Sequence, residues 1–286
     1  MNAHAAMGKT NAKTSEAWGL LGVGGASRSY LSRMPSVLAR LGPVKASSYQ
    51  VARRLANSLR AGFAVSHYSA LECCPLIWIY EPEHFLDRVA RDLMAQMPVH
   101  DTMIVLCECV RDSLWPSPLR AGGARVASLN LVEQSQDKLF VAEGHADTLR
   151  VLDQLLAGEK RKLIQMPPAA KPLYFAGVQL AKYLALPAIA ASVESLRAAG
   201  FPRAQAARLT EALVTRAVAS YGKAGKKAWN PRSEAELLGA LELNAETLHQ
   251  SDPHLAAAYA EGIRTALGYF ADPKVPLLAR PARTSR

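Results

Sequence analysis

The stretch Gly22-Val23-Gly24-Gly25-Ala26-Ser27 lies between a short apolar run, Trp18 to Leu21, and a segment from Arg28 onward that can wind into a helix. A strand that turns sharply into a helix brings the helix's first free backbone N–H groups to one point, where they can hold a phosphate. The spacing is close to the dinucleotide fingerprint. Gly22 makes the tight turn, Gly24 lets the backbone approach a pyrophosphate, and Ser27 fills the slot where a third glycine lets helix and strand pack closely. Serine is small enough for that slot, and Gly25 and Arg28 complete the candidate contacts. Glycine clusters also form ordinary mobile loops, so the flanking sequence has to support the assignment.

Downstream, Tyr30 to Leu41 has apolar residues at mixed helical spacing and is interrupted by Pro35, which predicts a short or kinked first helix. Val44 to Ser48 reads as the second strand and Gln50 to Arg60 as the next helix. The end of a second strand in this architecture meets the adenine ribose, and an acidic residue there selects a free 2′-hydroxyl. Ser47 and Ser48 stand at that point, with Arg53 and Arg54 just beyond and no carboxylate nearby. Hydroxyl and guanidinium groups favour a 2′-phosphate, so NADP is preferred, with NAD possible. Arginines on a solvated helix face would look the same.

Apolar runs recur at Pro75 to Tyr80, Met103 to Cys107 and Arg125 to Leu129, each bounded by a turn signal or a helix, as buried parallel strands are. Between the first two, Phe85, Val89, Leu93 and Met97 recur at intervals of four and predict an amphipathic helix over 83–97. Alternating strands and helices imply a doubly wound, mostly parallel sheet with its ligand crevice at the strands' carboxyl ends. Glu81-Pro82 and Cys107-Glu108-Cys109 fall there, and Pro82 joins the candidate cofactor contacts. A last strand, Leu139 to Glu143, precedes a helix from Ala146 to Leu156. Lys160-Arg161-Lys162 and Pro167-Pro168 then break the pattern.

The expected organisation is a disordered N-terminus (1–16), an α/β dinucleotide-binding domain (17–166), an all-α C-terminal domain (167–271) and a disordered tail (272–286). Helices are expected over 172–186, 188–199, 202–221, 233–249 and 253–270. Ser233 with Glu236 makes a capping box, and Asp252-Pro253 an N-cap followed by an N1 proline.

Composition bounds the partners. The chain has 286 residues, half of them hydrophobic, and a net charge of +10, spread along its length. That invites anionic partners such as phosphates. The N-terminus lacks the apolar core of a secretion signal, and no apolar stretch is judged to approach the roughly 20 residues of a membrane span. A cytoplasmic protein without a membrane partner is expected. Cys73-Cys74 and Cys107-x-Cys109 lack the C-x-x-C spacing of structural zinc sites, so buried free thiols and no metal are expected.

A nucleotide-binding domain followed by a helical one resembles the superfamily of 6-phosphogluconate dehydrogenase, ketopantoate reductase and pyrroline-5-carboxylate reductase. More closely, it resembles a group of Rossmann-like proteins whose helical second domain has no characterised function. The markers are the glycine turn, the strand ending in Glu81-Pro82, Gly122-Gly123-Ala124-Arg125-Val126, Val141-Ala142-Glu143-Gly144 and Lys171-Pro172-Leu173-Tyr174. The chain departs from that group where a histidine, cysteine, serine, glycine run is replaced by Leu106-Cys107-Glu108-Cys109, and a His-Pro by Asn130-Leu131. Phe175 and the region of Lys182-Tyr183 replace a histidine and an asparagine. The glycine-proline and arginine-glycine-aspartate pattern of the second domain is reduced to Asn230-Pro231-Arg232-Ser233.

The resemblance implies a Rossmann-like sheet with a helical domain that closes over the cofactor and forms a homodimer. It also implies hydride transfer to or from a small carbonyl or imine substrate. Lys171 is the candidate acid or base. Pro172 suits N1, so Lys171 falls at a helix start, where the dipole disfavours an ammonium ion, although lysine at an exposed helix end often has no function. Two alternatives stand beside this: a sensor or interaction protein that keeps the cofactor site without catalysis, and nucleic-acid binding through Lys223, Lys226, Lys227 and Trp229. Nothing in the sequence forms a known nucleic-acid-binding module, so the last is set aside.

Overall fold

The computed structural model describes residues 17–270 except Val23, Pro116, 133–138 and 230–233, with backbone alone for Gly24, Gly25, Ser117 and 234–240. The two segments expected to be disordered, and Asn230 to Ser233 with its half of the capping box, lie outside the described residues.

Strand β1 (Trp18–Gly22) ends on the first glycine of the turn, and α1 (Gly24–Leu31) opens two residues later. Pro35 then starts a separate short helix, α2 (Pro35–Leu38), as the interruption predicted. There follow β2 (Leu41–Lys45), α3 (Tyr49–Leu59), β3 (Phe63–Ala64), a 3-10 turn (Tyr68–Leu71), β4 (Leu76–Tyr80) and α4 (Glu83–Gln96). Then come β5 (Met103–Cys107), α5 (Ser117–Ala121), β6 (Arg125–Leu131), β7 (Leu139–Gly144), α6 (Ala146–Gly158) and β8 (Lys162–Gln165).

The strands form one sheet in the order β3-β2-β1-β4-β5-β6-β7-β8. All neighbours are parallel except β6 and β7. The order reverses between β1 and β4, which opens the crevice at their carboxyl ends.

Side chains alternate across the sheet. Leu20, Trp78, Val105, Ala127 and Leu129 join one apolar layer with Leu55, Leu59, Leu152 and Leu156, whereas Leu21, Ile77, Ile79, Ile104, Leu106 and Val126 join the other with Leu86, Val89 and Leu93. Because both faces are covered, the central strands read as continuous apolar runs.

Several expectations are corrected. β2 starts and ends three residues earlier than predicted, because Gly42 and Pro43, which look like a break, lie inside it; Pro43 pairs with Phe63 of the two-residue strand β3. In α4 the buried residues are Leu86, Val89, Ala90 and Leu93, and Phe85 is 44% exposed. Steps of four overshoot the 3.6-residue turn, so three of them rotate Phe85 off the core face. Cys74, Cys107 and Cys109 are buried free thiols, but Cys73 is exposed.

Two further strands, β3 and β8, carried no readable signal. β8 starts on the last residue of the basic stretch Lys160-Arg161-Lys162 and ends before Pro167-Pro168, and β7 runs antiparallel to β6. At Gly144, φ is +141°, and a Cβ would stand 2.4 Å from the Ala127 Cα, so only glycine lets β7 end beside β6.

The chain divides into two compact units at Ala176–Gly177. The second is helical: the end of α7 (Lys171–Lys182), α8 (Leu186–Ala198), α9 (Arg203–Ala224), a 3-10 turn (Gly225–Ala228), α10 (Glu234–Ser251) and α11 (Pro253–Phe270). Asp252 caps α11 by accepting from the His254 and Leu255 N–H groups at 2.8 and 3.3 Å.

Within this unit α9 buries only Ala206 and Thr210, while Leu209, Leu213, Val214, Val218 and Tyr221 are exposed. An apolar cavity of about 750 Å³ opens between Leu196, Leu213, Leu248, Ile263 and Leu267. The expectation that no stretch approaches a membrane span does not hold for 171–198, which contains an 18-residue window apolar enough by composition, none of it buried. A turn between Lys182 and Leu186 divides that stretch into two helices.

Candidate functional site

The glycine turn sits where the sheet order reverses. Ser27 is fully buried against β1: a Cβ on Gly22 would lie 2.8 Å from the Ser27 Oγ and 3.2 Å from Leu55 Cδ2. The serine side chain therefore packs closely between α1 and β1. Gly24 and Gly25 are the first two residues of α1, the turn of a helix whose N–H groups lack intrahelical acceptors. Arg28 lies exposed one turn on.

Beside the turn is a cavity of about 370 Å³ lined by Leu21, Lys45, Ala46, Ser47, Tyr68, Glu81, Phe85, Arg88, Val89 and Asp92. These come from the carboxyl ends of β1, β2 and β4, from the 3-10 turn, and from one stripe of α4. The volume suits a small ligand.

Lys45 donates to the Ala46 carbonyl, and its ammonium stands 4.9 Å from the Tyr68 ring centre. Burial lowers its pKa, opposed by the charges of Glu81 and Asp92. Burial pushes the Glu81 carboxyl up to about 7, and Lys45 pulls it back. Arg88 pairs with Asp92 at 3.6 Å.

The predicted ribose contacts separate. Ser47 lines the cavity, but Ser48 caps α3, its Oγ accepting from the Val51 N–H at 3.3 Å, and the exposed Arg53 and Arg54 are not among the lining residues. Pro82 occupies the N-cap position of α4. Lys45, Tyr68, Phe85 and Arg88 were missed. A recoverable signal lay in α4, where Phe85, Arg88, Val89 and Asp92 follow i, i+3, i+4, i+7 spacing.

The donor set fits the adenosine end of a dinucleotide. It offers two aromatic side chains for a base, and Ser47, Lys45 and Arg88 for a ribose and its phosphate, beside the glycine turn that would receive the pyrophosphate.

A second polar cluster gathers at the ends of β5 and β6. The loop after β5 is held from several sides: Glu83 accepts from the Val110 and Arg111 N–H groups, both at 3.0 Å, and Asn130 donates to the Cys109 carbonyl at 3.2 Å. Glu143, fully buried, accepts from the Ser113 N–H (2.6 Å), the Ser113 hydroxyl (2.8 Å) and the Ser128 hydroxyl (2.8 Å).

Lys171, also fully buried, donates to the Arg111 carbonyl at 2.9 Å. Its pKa is lowered chiefly by burial, while Cys109, Glu143, Glu83 and Glu108 draw it back up. Burial raises the Cys109 thiol to about 11, which keeps it protonated at neutral pH. In the helical unit, Trp229 stacks on Phe270 at 5.2 Å, so one face of that ring is already covered.

These features define a class of fold, a doubly wound, mostly parallel sheet followed by a helical unit, and solved structures share that fold. Among solved structures, an imine reductase from Aspergillus terreus, in complex with NADPH4 and dibenz[c,e]azepine, is similar at TM-score 0.64 and 12% identity, over 89% of this chain and 95% of that one. An imine reductase from Myxococcus stipitatus, in complex with NADP+, gives 0.63 and 11%, over 90% and 100%. A protein from Thermotoga maritima gives 0.62 and 17%, over 88% and 97%. No protein-family model and no curated protein matches the chain.

Proposed function

We propose that the chain is an NADP-binding oxidoreductase-like protein, with NAD as a possible second cofactor. The observation that carries this is the juxtaposition of the glycine turn, at the point where the strand order reverses, with a cavity holding Lys45, Arg88, Ser47 and two aromatic side chains. It is supported by neighbours of the same fold that bind NADPH or NADP+, two of them imine reductases. A bound nicotinamide cofactor would supply the hydride for reduction of a small carbonyl or imine. Gly24 and Gly25 would seat the pyrophosphate, with Gly22 making the turn, Ser27 holding α1 close against β1, and Arg28 and Pro82 at the margins.

Lys171 would hold the proton. Its lowered pKa suits an acid or base, and the Arg111 carbonyl fixes its ammonium at the β5 edge. The same burial favours a second reading, in which Lys171 is a structural tie and the cofactor is bound without turnover.

The helical unit would form a homodimer, because a helix as long as α9 with an exposed apolar row needs a partner surface. Calorimetric titration with NADPH tests the main reading: saturable binding is expected, and none at millimolar cofactor would reject it. With a carbonyl or imine panel, turnover lost in Lys171→Ala at unchanged NADPH affinity supports the catalytic role. No turnover in the wild type supports the second reading.

A further inference from the structure

Strands β2 and β4 flank β1, so Lys45, at the end of β2, and Glu81, just past β4, stand in the wall of one cavity on either side of Leu21. In doubly wound folds a carboxylate at the end of the second strand accepts from a ribose 2′-hydroxyl, and a cation there accommodates a 2′-phosphate. Here the cation occupies that place and the carboxyl group enters from the neighbouring strand. One cavity therefore holds both determinants.

Resting on the cofactor reading above, we propose that Glu81 and Lys45 form a proton-controlled selector between 2′-phosphorylated and unphosphorylated nucleotides. With Glu81 protonated, Lys45 attracts the 2′-phosphate against one negative charge fewer. With Glu81 ionised, its charge repels that phosphate and its oxygens accept from a 2′-hydroxyl instead.

The surroundings keep both forms within reach. Burial holds the Glu81 carboxyl near 7, against the pull of Lys45. The other ionisable groups lining the cavity are Tyr68 from the 3-10 turn and Arg88 and Asp92 from α4. Burial raises the Tyr68 phenol, which stays neutral at physiological pH, and Arg88 and Asp92 pair with each other. β1 contributes only Leu21, and the residues after β2 contribute Ala46 and Ser47, none of which titrates. Glu81 is thus the lining group whose charge changes between about pH 6 and 8, roughly one unit either side of a pKa of about 7.

Calorimetric titration of the full chain with adenosine 2′,5′-bisphosphate and with 5′-AMP separates the possibilities. Measurements from pH 7 to 8.5 lie above the ionisation of the 2′-phosphate itself, near pKa ~6. The bisphosphate is expected to weaken about tenfold across this range, following the protonated fraction of a group titrating near neutrality, while 5′-AMP holds or tightens. Glu81→Gln should abolish the pH dependence. Lys45→Met should weaken the bisphosphate about tenfold at every pH and leave 5′-AMP unchanged, as expected for one lost charged contact.

A bisphosphate-to-AMP ratio that ignores pH, or keeps its pH dependence in Glu81→Gln, overturns the selector and leaves the cofactor reading standing. Failure of both nucleotides and of NADPH to bind overturns the cofactor reading, and the selector with it.

Discussion

Glu143 has no exposure to solvent, yet its carboxylate is matched by three donors from Ser113 and Ser128. Removing it strands those donors in a low-dielectric interior and leaves Lys171 with one fewer compensating charge. Glu143→Ala is therefore expected to lose about 3 kcal/mol of stability, read from urea unfolding; a loss under about 1 kcal/mol would show that the loop after β5 does not depend on it.

Glu81 makes the opposite kind of contribution. Its carboxyl is raised from 4.5 to about 7 in the folded chain, so the native state binds more protons than the unfolded state between those values. Stability is thus lost as pH rises through that window and is level above it. Discounted for partial exposure, the effect is about 1 kcal/mol. The difference in unfolding free energy between wild type and Glu81→Gln should grow in favour of the variant from pH 4.5 to 7, and a constant difference would contradict the assignment. The sequence places Glu81 near the cofactor, but Glu143 and Lys171 reach partners 30 and 60 residues away, and only the fold brings those together.

At the level of elements, the glycine turn, four central strands and their helices were legible because buried parallel strands are apolar throughout and each lies beside an amphipathic helix. What failed was local. The second strand was read from Val44 to Ser48, three residues past its true span, which moved its end beyond Lys45 and drew attention to Arg53 instead. Steps of four on α4 hid that Phe85 belongs to the cavity stripe.

The reversal at β7 had a signal in Gly144, legible only once β6 is known to lie against it. Gly144→Ala puts a Cβ 2.6 Å from the Val126 carbonyl oxygen and 2.4 Å from the Ala127 Cα, both main chain, at φ +141°. A loss of about 3 kcal/mol is expected, from overpacking combined with strain at positive φ. A variant as stable as the wild type would mean that β7 relaxes away from β6.

For the whole molecule, the sequence conveyed the order of a sheet unit followed by a helical unit, because the periodicity changes from short apolar runs to long helical stripes. It could not convey what covers the helical unit's apolar rows. If a second copy does, Val218→Glu, on a side chain 68% exposed, should turn a sedimenting dimer into a monomer with unchanged helicity; a wild type that sediments as a monomer would refute the dimer.

The central claim is that the head of α1 receives a dinucleotide's pyrophosphate. The most direct measurement is a glycine-selective 15N amide titration with NADPH. The Gly24 and Gly25 resonances are expected to shift in proportion to cofactor saturation, while Gly200 and Gly222 of the helical unit stay in place. NADPH that binds without moving Gly24 or Gly25 would contradict the account.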